Sequence, residues 1–347
     1  MAYTDIDRPD LYFNTKLYTG TVSSQSITGV GFQPDWVWIK YRSDIANHHL
    51  YDSVRGVQKR LNSNTTNAEA TSVNNLTSFD SDGFTIGTDN DINESGQTYA
   101  SWNWLAGGTA SSNTDGSITS TVSANTTSGF SIVSYTGTGS NATIGHGLGI
   151  APSMIIVKDR DNTTFWGVYH KSLGATKYLD LDQTNASATS SLLWNDTEPT
   201  SSVFSVGTNG RVNNNTEKYI SYCFTEKKGF SKFGSYTGNV STDGTFIYTG
   251  FKPAFVIMKR TDTTGHWLLF DNNRSSSGGS NLIQEYLYPN LSDAESSDAT
   301  RGIDFLSNGF KQRNNFSAIN ASGGSYIYMA FAKSPFTTST GIPTTAR

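Results

Sequence analysis

The sequence has few of the residues on which disulfide scaffolds, redox sites and membrane spans depend. Its 347 residues include 1 cysteine, 8 prolines and only 16% charged residues. No apolar run approaches the ~20 residues that a membrane helix needs. The single cysteine, Cys223, excludes an internal disulfide, and its place in the apolar string YISYCF indicates a small buried side chain. The net charge of -4 and the absence of a Lys/Arg cluster argue against nucleic-acid binding.

Sequence motifs of catalytic, metal and cofactor sites are also missing. The 5 histidines show no H-E-x-x-H or other metal-ligand spacing. The chain has no G-x-S-x-G, phosphate-loop or dinucleotide fingerprint. The string MAYTDIDRPDLYF lacks a basic segment followed by an apolar one, so we expect no signal peptide. We therefore expect no metal, no cofactor and no membrane insertion, and synthesis in the cytoplasm.

Small polar residues take the place of the missing apolar and charged ones. Aromatic residues nevertheless reach 12%, whereas disordered chains lack them. Many aromatic and β-branched residues among Ser, Thr, Asn and Gly are typical of short strands joined by tight turns. The composition therefore predicts an all-β protein.

One ten-residue string occurs three times with small changes. It reads GFQPDWVWIK from Gly31, GIAPSMIIVK from Gly149 and GFKPAFVIMK from Gly250. Each is preceded by Y-T-G and followed by further strand-like runs, the last of which begins with a tyrosine (YASWNW, YISYCF and YIYMAF). The common order predicts three divergent copies of one unit of roughly 100 residues, a common domain size. Copies 1, 2 and 3 are placed at residues 1–118, 119–232 and 233–347.

Each copy contains about seven short strand candidates, separated by turns rich in Gly, Asn, Asp and Ser. This density favours a jelly-roll-like antiparallel β-sandwich in each copy. A short N-terminal arm precedes the first copy. The stretch from Ala106 to Gly129 is dominated by small polar residues and is expected to be a linker, although GSITSTVSA within it alternates like an edge strand.

The repeated string is interpreted as the central strand of each copy. Its glycine permits a corner, and its proline cannot donate to a ladder and so belongs at the first strand position. Apolar residues then point to both faces, so the strand is expected to be covered on both sides. The lysine that ends the string is expected to carry its ammonium into water. The residues given this structural role are Gly31, Pro34, Trp36, Trp38, Gly149, Pro152, Gly250 and Pro253.

Copies 1 and 3 share an aspartate–arginine pair just after the next strand. DSVR places Asp52 and Arg55 three residues apart, and DNNR does the same with Asp271 and Arg274. A structural ion pair is the preferred interpretation, and a ligand-binding pair is the alternative. Copy 2 has His170 at this place, so the fold does not require the pair.

Two acidic strings resemble the beginnings of known sites. DNDIN from Asp89 begins like a calcium loop, but Glu94 and Ala100 stand where an EF-hand needs Gly and Glu. A solvated loop is therefore preferred to an irregular cation site. In YLDLD, Asp180 and Asp182 share one face of a strand, as a glycosidase pair could. Simple alternation of a polar and an apolar face is the preferred explanation of this pair, and we predict no catalytic residue.

Trp194 is the one candidate for a ligand-binding side chain. It lies among turn residues in SLLWNDTEPTSS and is the best candidate for an exposed ring, which could stack on a sugar. Packing beside the core is the preferred interpretation. Trp166 and Trp267 occupy matching strand positions and are expected in the core.

Several strings together resemble a family of virion-associated proteins of marine tailed phages. They include LYFNTKLYTG, QPDWVWIK, HHLYDSVRG, IGHGLGIAPSMIIVK, GFKPAFVIMKR and YIYMAFAKSPF. The resemblance covers nearly the whole chain and is most specific in copy 3. It implies a β-rich structural or fibre-like role in the virion, beside other virion proteins, and it supplies no catalytic residues.

The expected function is that of a non-enzymatic tail fibre or adhesin component that contacts host surface glycans. A capsid decoration protein that cements the shell is the alternative, and a glycan depolymerase is a weaker one. Self-association is expected, with a trimer favoured, because identical sites presented together gain avidity. The number of copies per virion separates fibre from decoration, since decoration needs hundreds.

Overall fold

Antiparallel β-strands make up most of the regular structure, which confirms the all-β class predicted from composition. The computed structural model describes residues 3–275 and 281–344. The elements before the expected linker are a 3₁₀ turn (Pro9–Leu11), β1 (Phe13–Thr19), β2 (Gln25–Thr28), β3 (Trp36–Tyr41), β4 (His49–Asp52), β5 (Lys59–Arg60), β6 (Ala70–Thr71), β7 (Leu76–Asp80), β8 (Gly83–Ile86), α1 (Asn90–Asn93) and β9 (Thr98–Trp104).

The expected linker and copy 2 continue the same pattern of short elements. They are β10 (Ser111–Asn113), β11 (Ser120–Asn125), β12 (Phe130–Thr136), β13 (Ala142–Gly145), β14 (Met154–Asp159), β15 (Gly167–His170), β16 (Lys177–Asp180), β17 (Ala188–Thr189), α2 (Ser191–Trp194), β18 (Val203–Val206), α3 (Gly210–Asn213) and β19 (Lys218–Phe224). The linker expectation is wrong for β10 and β11, which pair with each other and extend the sheet of copy 2. β11 overlaps the string GSITSTVSA, whose alternation indicated a strand.

Copy 3 is the last copy and contains the longest strands of the described residues. Its elements are β20 (Ser231–Thr237), β21 (Phe246–Tyr248), β22 (Phe251–Arg260), β23 (Trp267–Asp271), β24 (Leu282–Ile283), β25 (Glu285–Tyr286), β26 (Ser296–Ser297), a 3₁₀ turn (Ala299–Arg301), β27 (Ile303–Leu306), β28 (Gly309–Gln312), α4 (Ser317–Asn320) and β29 (Ser325–Pro335).

Each copy is built around an inner sheet whose four core strands follow one order. The orders are β1-β9-β3-β4, β12-β19-β14-β15 and β20-β29-β22-β23. A smaller outer sheet faces each: β2-β8-β7, β13-β18 and β21-β28-β27-β24. Apolar side chains between the two layers give each copy its own core, which is the arrangement of a β-sandwich. The jelly-roll connectivity and the boundaries near 118 and 232 stay predictions.

The central strands β3, β14 and β22 are buried on both faces. In β3, Val37 and Ile39 pack into the core of copy 1. Trp36 and Trp38 point the other way, into a further core that receives side chains from all three copies. This shared core includes Trp102, Trp104, Phe130, Met154, Ile156, Tyr222, Phe224, Phe255, Ile257, Met329 and Phe331. The second apolar face of each central strand is therefore a contact between copies.

The corner before each central strand requires glycine. Gly31, Gly149 and Gly250 have φ of 90°, 71° and 84°, a region that other residues avoid. The expected position of proline is less regular. β3 and β14 begin two residues after their prolines, whereas Pro253 lies inside β22 at a register irregularity. A bulge there disrupts the ladder locally, so the missing N–H is tolerated.

The Y-T-G string and the closing tyrosine form one recurring junction. In copy 1, Tyr18 stacks on Tyr99 with ring centroids 5.0 Å apart. The Tyr99 hydroxyl donates to the carbonyl of Asn90 and accepts the N–H of Glu94, which fixes the turn of α1. A Cβ on Gly20 would collide with the carbonyl oxygen of Glu94. The corresponding stacks are Tyr135–Tyr219 and Tyr236–Tyr326.

Candidate functional site

Three equivalent segments hold the copies together, and we call them the clasp segments (residues 62–69, 180–187 and 288–295). Each lies against the next copy around a closed ring, from copy 1 to copy 2, copy 2 to copy 3 and copy 3 to copy 1. Two backbone hydrogen bonds recur at each contact: Glu69–Arg160 and Thr164–Thr66, Ser187–Thr261 and Gly265–Thr184, and Glu295–Arg42 and Ala46–Ser292. These pairs were not predicted, although the strings NTTNAE, DQTNAS and NLSDAE carry the repeat.

The lysine at the end of each central strand belongs to this ring. Lys40 is 0% exposed, and its Nζ donates to the carbonyls of Tyr41 at 2.8 Å, Ala46 at 2.9 Å and Ser292 at 3.2 Å. Ser292 lies in the clasp segment of copy 3. The equivalent lysines of copies 2 and 3 reach the clasp segments of copies 1 and 2 in the same way: Lys158 bonds Thr66 and Lys259 bonds Thr184.

The expectation that these ammonium groups reach water is therefore wrong. Each lysine lies at the end of its own sheet, as expected. The neighbouring copy covers its ammonium group there, and backbone carbonyl oxygens accept the hydrogen bonds that water would otherwise accept. Burial lowers the pKa of Lys40, Lys158 and Lys259 to about 8 in each case.

The carboxylate pair Asp180 and Asp182 begins the clasp segment of copy 2. The two residues are only 5% and 6% exposed. The expected polar face is therefore not open to solvent, because copy 3 lies against it: the indole Nε1 of Trp267 donates to the carbonyl of Asp180 at 3.0 Å.

Asp182 acts as a structural anchor. Its Oδ1 accepts the backbone N–H of Trp166 at 3.0 Å. Asn64 and Asn290 accept the equivalent bond in the other copies, at 2.9 and 3.1 Å. In two of the three copies a side-chain amide oxygen accepts this hydrogen bond, so the bond does not require a carboxylate. Burial raises the pKa of Asp182 above its ordinary value.

Asp180 lies opposite Arg211. The closest approach of Arg211 Nε to Asp180 Oδ1 is 3.4 Å, and the guanidinium is stacked over Phe165 and Tyr178, 4.9 Å from each ring centroid. Burial raises the pKa of Asp180 to about 7, although the positive charge of Arg211 opposes this shift. A carboxyl group with this pKa could exchange protons near neutral pH, but it lies beneath other side chains.

Trp194 is buried, as the packing interpretation expects, and its ring is not available to stack on a sugar. It ends α2, a single turn capped by the Ser190 hydroxyl, and is 2% exposed. Its ring packs edge-on against Tyr169, with centroids 6.0 Å apart. The neighbouring Leu192 is an exposed apolar residue of this turn, at 51%.

The Asp52–Arg55 pair lies at the interface of copies 1 and 2, where both side chains are fully buried. Tyr222 of copy 2 donates its hydroxyl to Asp52 at 2.8 Å. Arg55 also reaches Glu69 of the clasp segment at 3.2 Å, and Arg160 of copy 2 donates to the same carboxylate at 2.9 Å. An Arg–Glu–Arg triad thus joins the two copies.

The Asp271–Arg274 pair forms the same arrangement between copies 3 and 1. Asp271 accepts the indole N–H of Trp102 at 3.0 Å. Arg274 donates to Glu295 at 2.6 Å, and Arg42 of copy 1 donates to Glu295 at 2.7 Å. The sequence indicated both ion pairs but not their position between copies.

The interface of copies 2 and 3 lacks the triad. Leu173, Ser187 and Thr261 stand at the positions of the first arginine, the glutamate and the second arginine. His170 replaces the aspartate, and its ring Nε2 lies 3.2 Å from the carbonyl of Tyr328 in copy 3. These smaller side chains leave space at this interface.

A cleft of about 440 Å³ occupies that space. It is within the size range of small-molecule sites. Leu173, Ser187 and Thr261 all line it. The other lining residues are Ser172, Lys177, Ser235, Tyr236, Thr237, Asp262, Ser325, Tyr326 and Ile327. This cleft is the candidate functional site.

Other residues considered in the sequence have local roles. Asp89 caps α1 by accepting the N–H of Asp91 at 2.9 Å. Burial raises the pKa of the Cys223 thiol to about 12, which disfavours the nucleophilic thiolate. In the described part of the chain, no group of three or more His, Cys, Asp or Glu is placed to hold a metal ion. Trp166 and Trp267 lie in the shared core, as expected.

The fold and the ring of clasp contacts define a class: all-β proteins built from three interlocked sandwich copies. The chain belongs to the family described as Domain of unknown function (DUF7483), which matches residues 8–335. That match spans all three copies, so the family corresponds to the whole ring. No curated protein matches the sequence. None of the helices within residues 3–275 and 281–344 has the length and apolar character of a membrane span.

Proposed function

We propose that this chain is a non-enzymatic structural protein of a tailed-phage virion, of the tail fibre or adhesin type, that contacts host surface glycans. The observation that carries the proposal is the closed ring of three copies around one shared core. A particle component must keep its shape outside the cell. With 1 cysteine the chain cannot rely on disulfides, and shared burial and buried ion pairs hold its shape instead. The resemblance of the repeated strings to phage virion proteins supports the same assignment.

The surroundings of the carboxylates favour a non-enzymatic role. Glycoside hydrolysis needs two carboxyl groups that flank a bound sugar. Asp182 anchors a backbone N–H, and Asp180 lies beneath the next copy against Arg211. We expect purified protein to release no new reducing ends from host surface polysaccharide. Release that disappears in Asp180→Asn would contradict the proposal.

The partners follow from this role. The chain contacts other virion proteins and associates with itself, with a trimer as the expected state. Light scattering at micromolar concentration tests this, and a monomer would remove the trimer from the proposal.

The copy number in purified particles tests the assignment itself. Quantitative mass spectrometry against the major shell protein should give a few to tens of copies for a tail component. Hundreds of copies would favour a decoration protein instead. Absence of the chain from intact particles would overturn the virion role.

A further inference from the structure

At the cleft between copies 2 and 3, three side chains differ from the triad of the two other interfaces. Where the other interfaces hold an Arg–Glu–Arg triad, this one has Leu173, Ser187 and Thr261. All three are uncharged and smaller. Since the backbone contacts of the clasp segment are the same at all three interfaces, the space arises from the side chains and not from a different docking of the copies.

The walls of the cleft are rich in hydroxyl groups. Among the described residues, the side chains of Ser172, Ser235, Thr237 and Ser325 form no hydrogen bond, and all four residues are exposed. A hydroxyl can both donate and accept, so these groups match ligands that present hydroxyls of their own. Half-buried Leu173 also lines the cleft and adds an apolar surface.

The charges at the cleft do not select an ion. Its two charged lining residues, Lys177 and Asp262, have opposite signs. Asp262 is already paired with Arg260, whose Nε lies 2.8 Å from the carboxylate. A phosphate or carboxylate ligand would find a single exposed ammonium and no arginine fork of the kind that recognises such groups.

We infer that this cleft binds a neutral saccharide of one or two rings. The hydroxyl-bearing walls would bond the sugar hydroxyls, while the apolar surface would contact the C–H face of a ring. The inference rests on the proposed contact with host glycans and assigns it to one interface of the ring. At the two other interfaces the larger triad side chains stand at these positions and bond each other, so we expect no sugar to bind there.

The test uses the full chain and ligand-observed saturation-transfer NMR. The probes are glucose, galactose, mannose, N-acetylglucosamine and the disaccharides of each, with glucuronate and a mixed peptide pool as competitors of other chemistry. The triple variant Leu173→Arg/Ser187→Glu/Thr261→Arg rebuilds the triad of the other two interfaces and should fill the cleft. Ser235→Trp, at an exposed strand position, fills it with one substitution. Leu17→Trp, at the equivalent position of copy 1, is the matched control.

We expect at least one neutral saccharide to give a saturation-transfer signal with the wild type and with Leu17→Trp. The signal should be at least tenfold weaker with both cleft variants, while the melting temperatures of all variants stay close to that of the wild type. No signal from any neutral saccharide, a signal that persists in Ser235→Trp, or signals only from glucuronate or peptide would overturn the inference. Particle composition does not depend on the cleft. A chain present in virions but unable to bind sugar would therefore contradict only this inference, and binding by a chain absent from virions would contradict only the virion role.

Discussion

Individual side chains at the interfaces behave differently from what their local sequence indicates. A lysine that ends an apolar strand normally places its ammonium in water. Lys40 instead donates to three carbonyls, one of them from copy 3. Its sequence neighbours carry no sign of this, because the decisive carbonyl of Ser292 lies 252 residues away.

Replacing Lys40 with alanine should destabilise the protein markedly. The change leaves buried carbonyl oxygens without their donor, so we expect the free energy of unfolding to fall by at least about 2 kcal/mol. Lys218→Ala, at an exposed strand position, should change it by less than about 0.5 kcal/mol. Urea denaturation of both variants measures the difference, and equal effects would show that the Lys40 contacts contribute nothing.

Asp180 should make stability depend on pH below neutrality. Burial raises its pKa to about 7 in the folded chain, against about 3.9 for an unfolded aspartate. Between these values the folded state keeps a proton that the unfolded state has lost. Its contribution to stability is therefore fully present below about pH 4 and is lost as the pH rises through about 7.

Asp180→Asn should flatten the fall in stability over this pH window. Denaturation midpoints at intervals from about pH 3 to about pH 8 would measure it, which covers about one unit on either side of the two titrations. Asp196→Asn, an exposed residue of the same copy, is the control and should keep the wild-type profile. Parallel profiles for the wild type and Asp180→Asn would contradict the raised pKa.

At the scale of elements, local patterns predict strands better than they predict the neighbours of those strands. The central strand, its glycine corner and its two apolar faces follow from alternation within ten residues. The clasp segments were missed, because short polar runs such as NTTNAE look like ordinary turns. Their role comes from backbone bonds to another copy, and only a comparison of the three copies reveals the repeat. The expected polar face of Asp180 is wrong for the same reason, because copy 3 covers it.

Trp36→Asp tests the role of the central strand. Trp36 is 0% exposed and stacks on Tyr222 of copy 2, with centroids 4.3 Å apart. A charge at this position should cost more than about 4 kcal/mol and leave little folded protein. Tyr248→Asp, which changes a 61% exposed aromatic residue on β21, is the control and should melt close to the wild type. A folded Trp36→Asp protein of similar melting temperature would exclude the shared core.

Gly20→Ala tests the junction between Y-T-G and the closing strand. The added methyl group would collide with the carbonyl oxygen of Glu94, which is backbone and cannot rotate away. We expect a loss of about 1–3 kcal/mol from overpacking. Gly265→Ala meets only an ordinary contact with Arg260 at 3.4 Å and should be nearly neutral in thermal melts. The account of this junction fails if the two variants melt alike.

At the scale of the whole molecule, three copies from one chain form a ring that is not fully symmetric. The repeat predicts three units, but it does not say that their inner faces meet in one core. The repeat also does not indicate which copy each clasp segment contacts, since that depends on the path of the chain between the copies. The same asymmetry that removes one triad opens the cleft, so the sequence of any single copy carries no sign of the candidate site.

The central claim is that the three copies form one body with a shared core, and calorimetry of the full chain tests it most directly. Because Trp36, Tyr222 and Phe331 pack into the same cluster, one copy cannot unfold without exposing the inner faces of the other two. We predict a single thermal transition whose calorimetric and van't Hoff enthalpies agree. Two or three separate transitions, each with its own van't Hoff enthalpy, would contradict the shared core and with it the account of the ring.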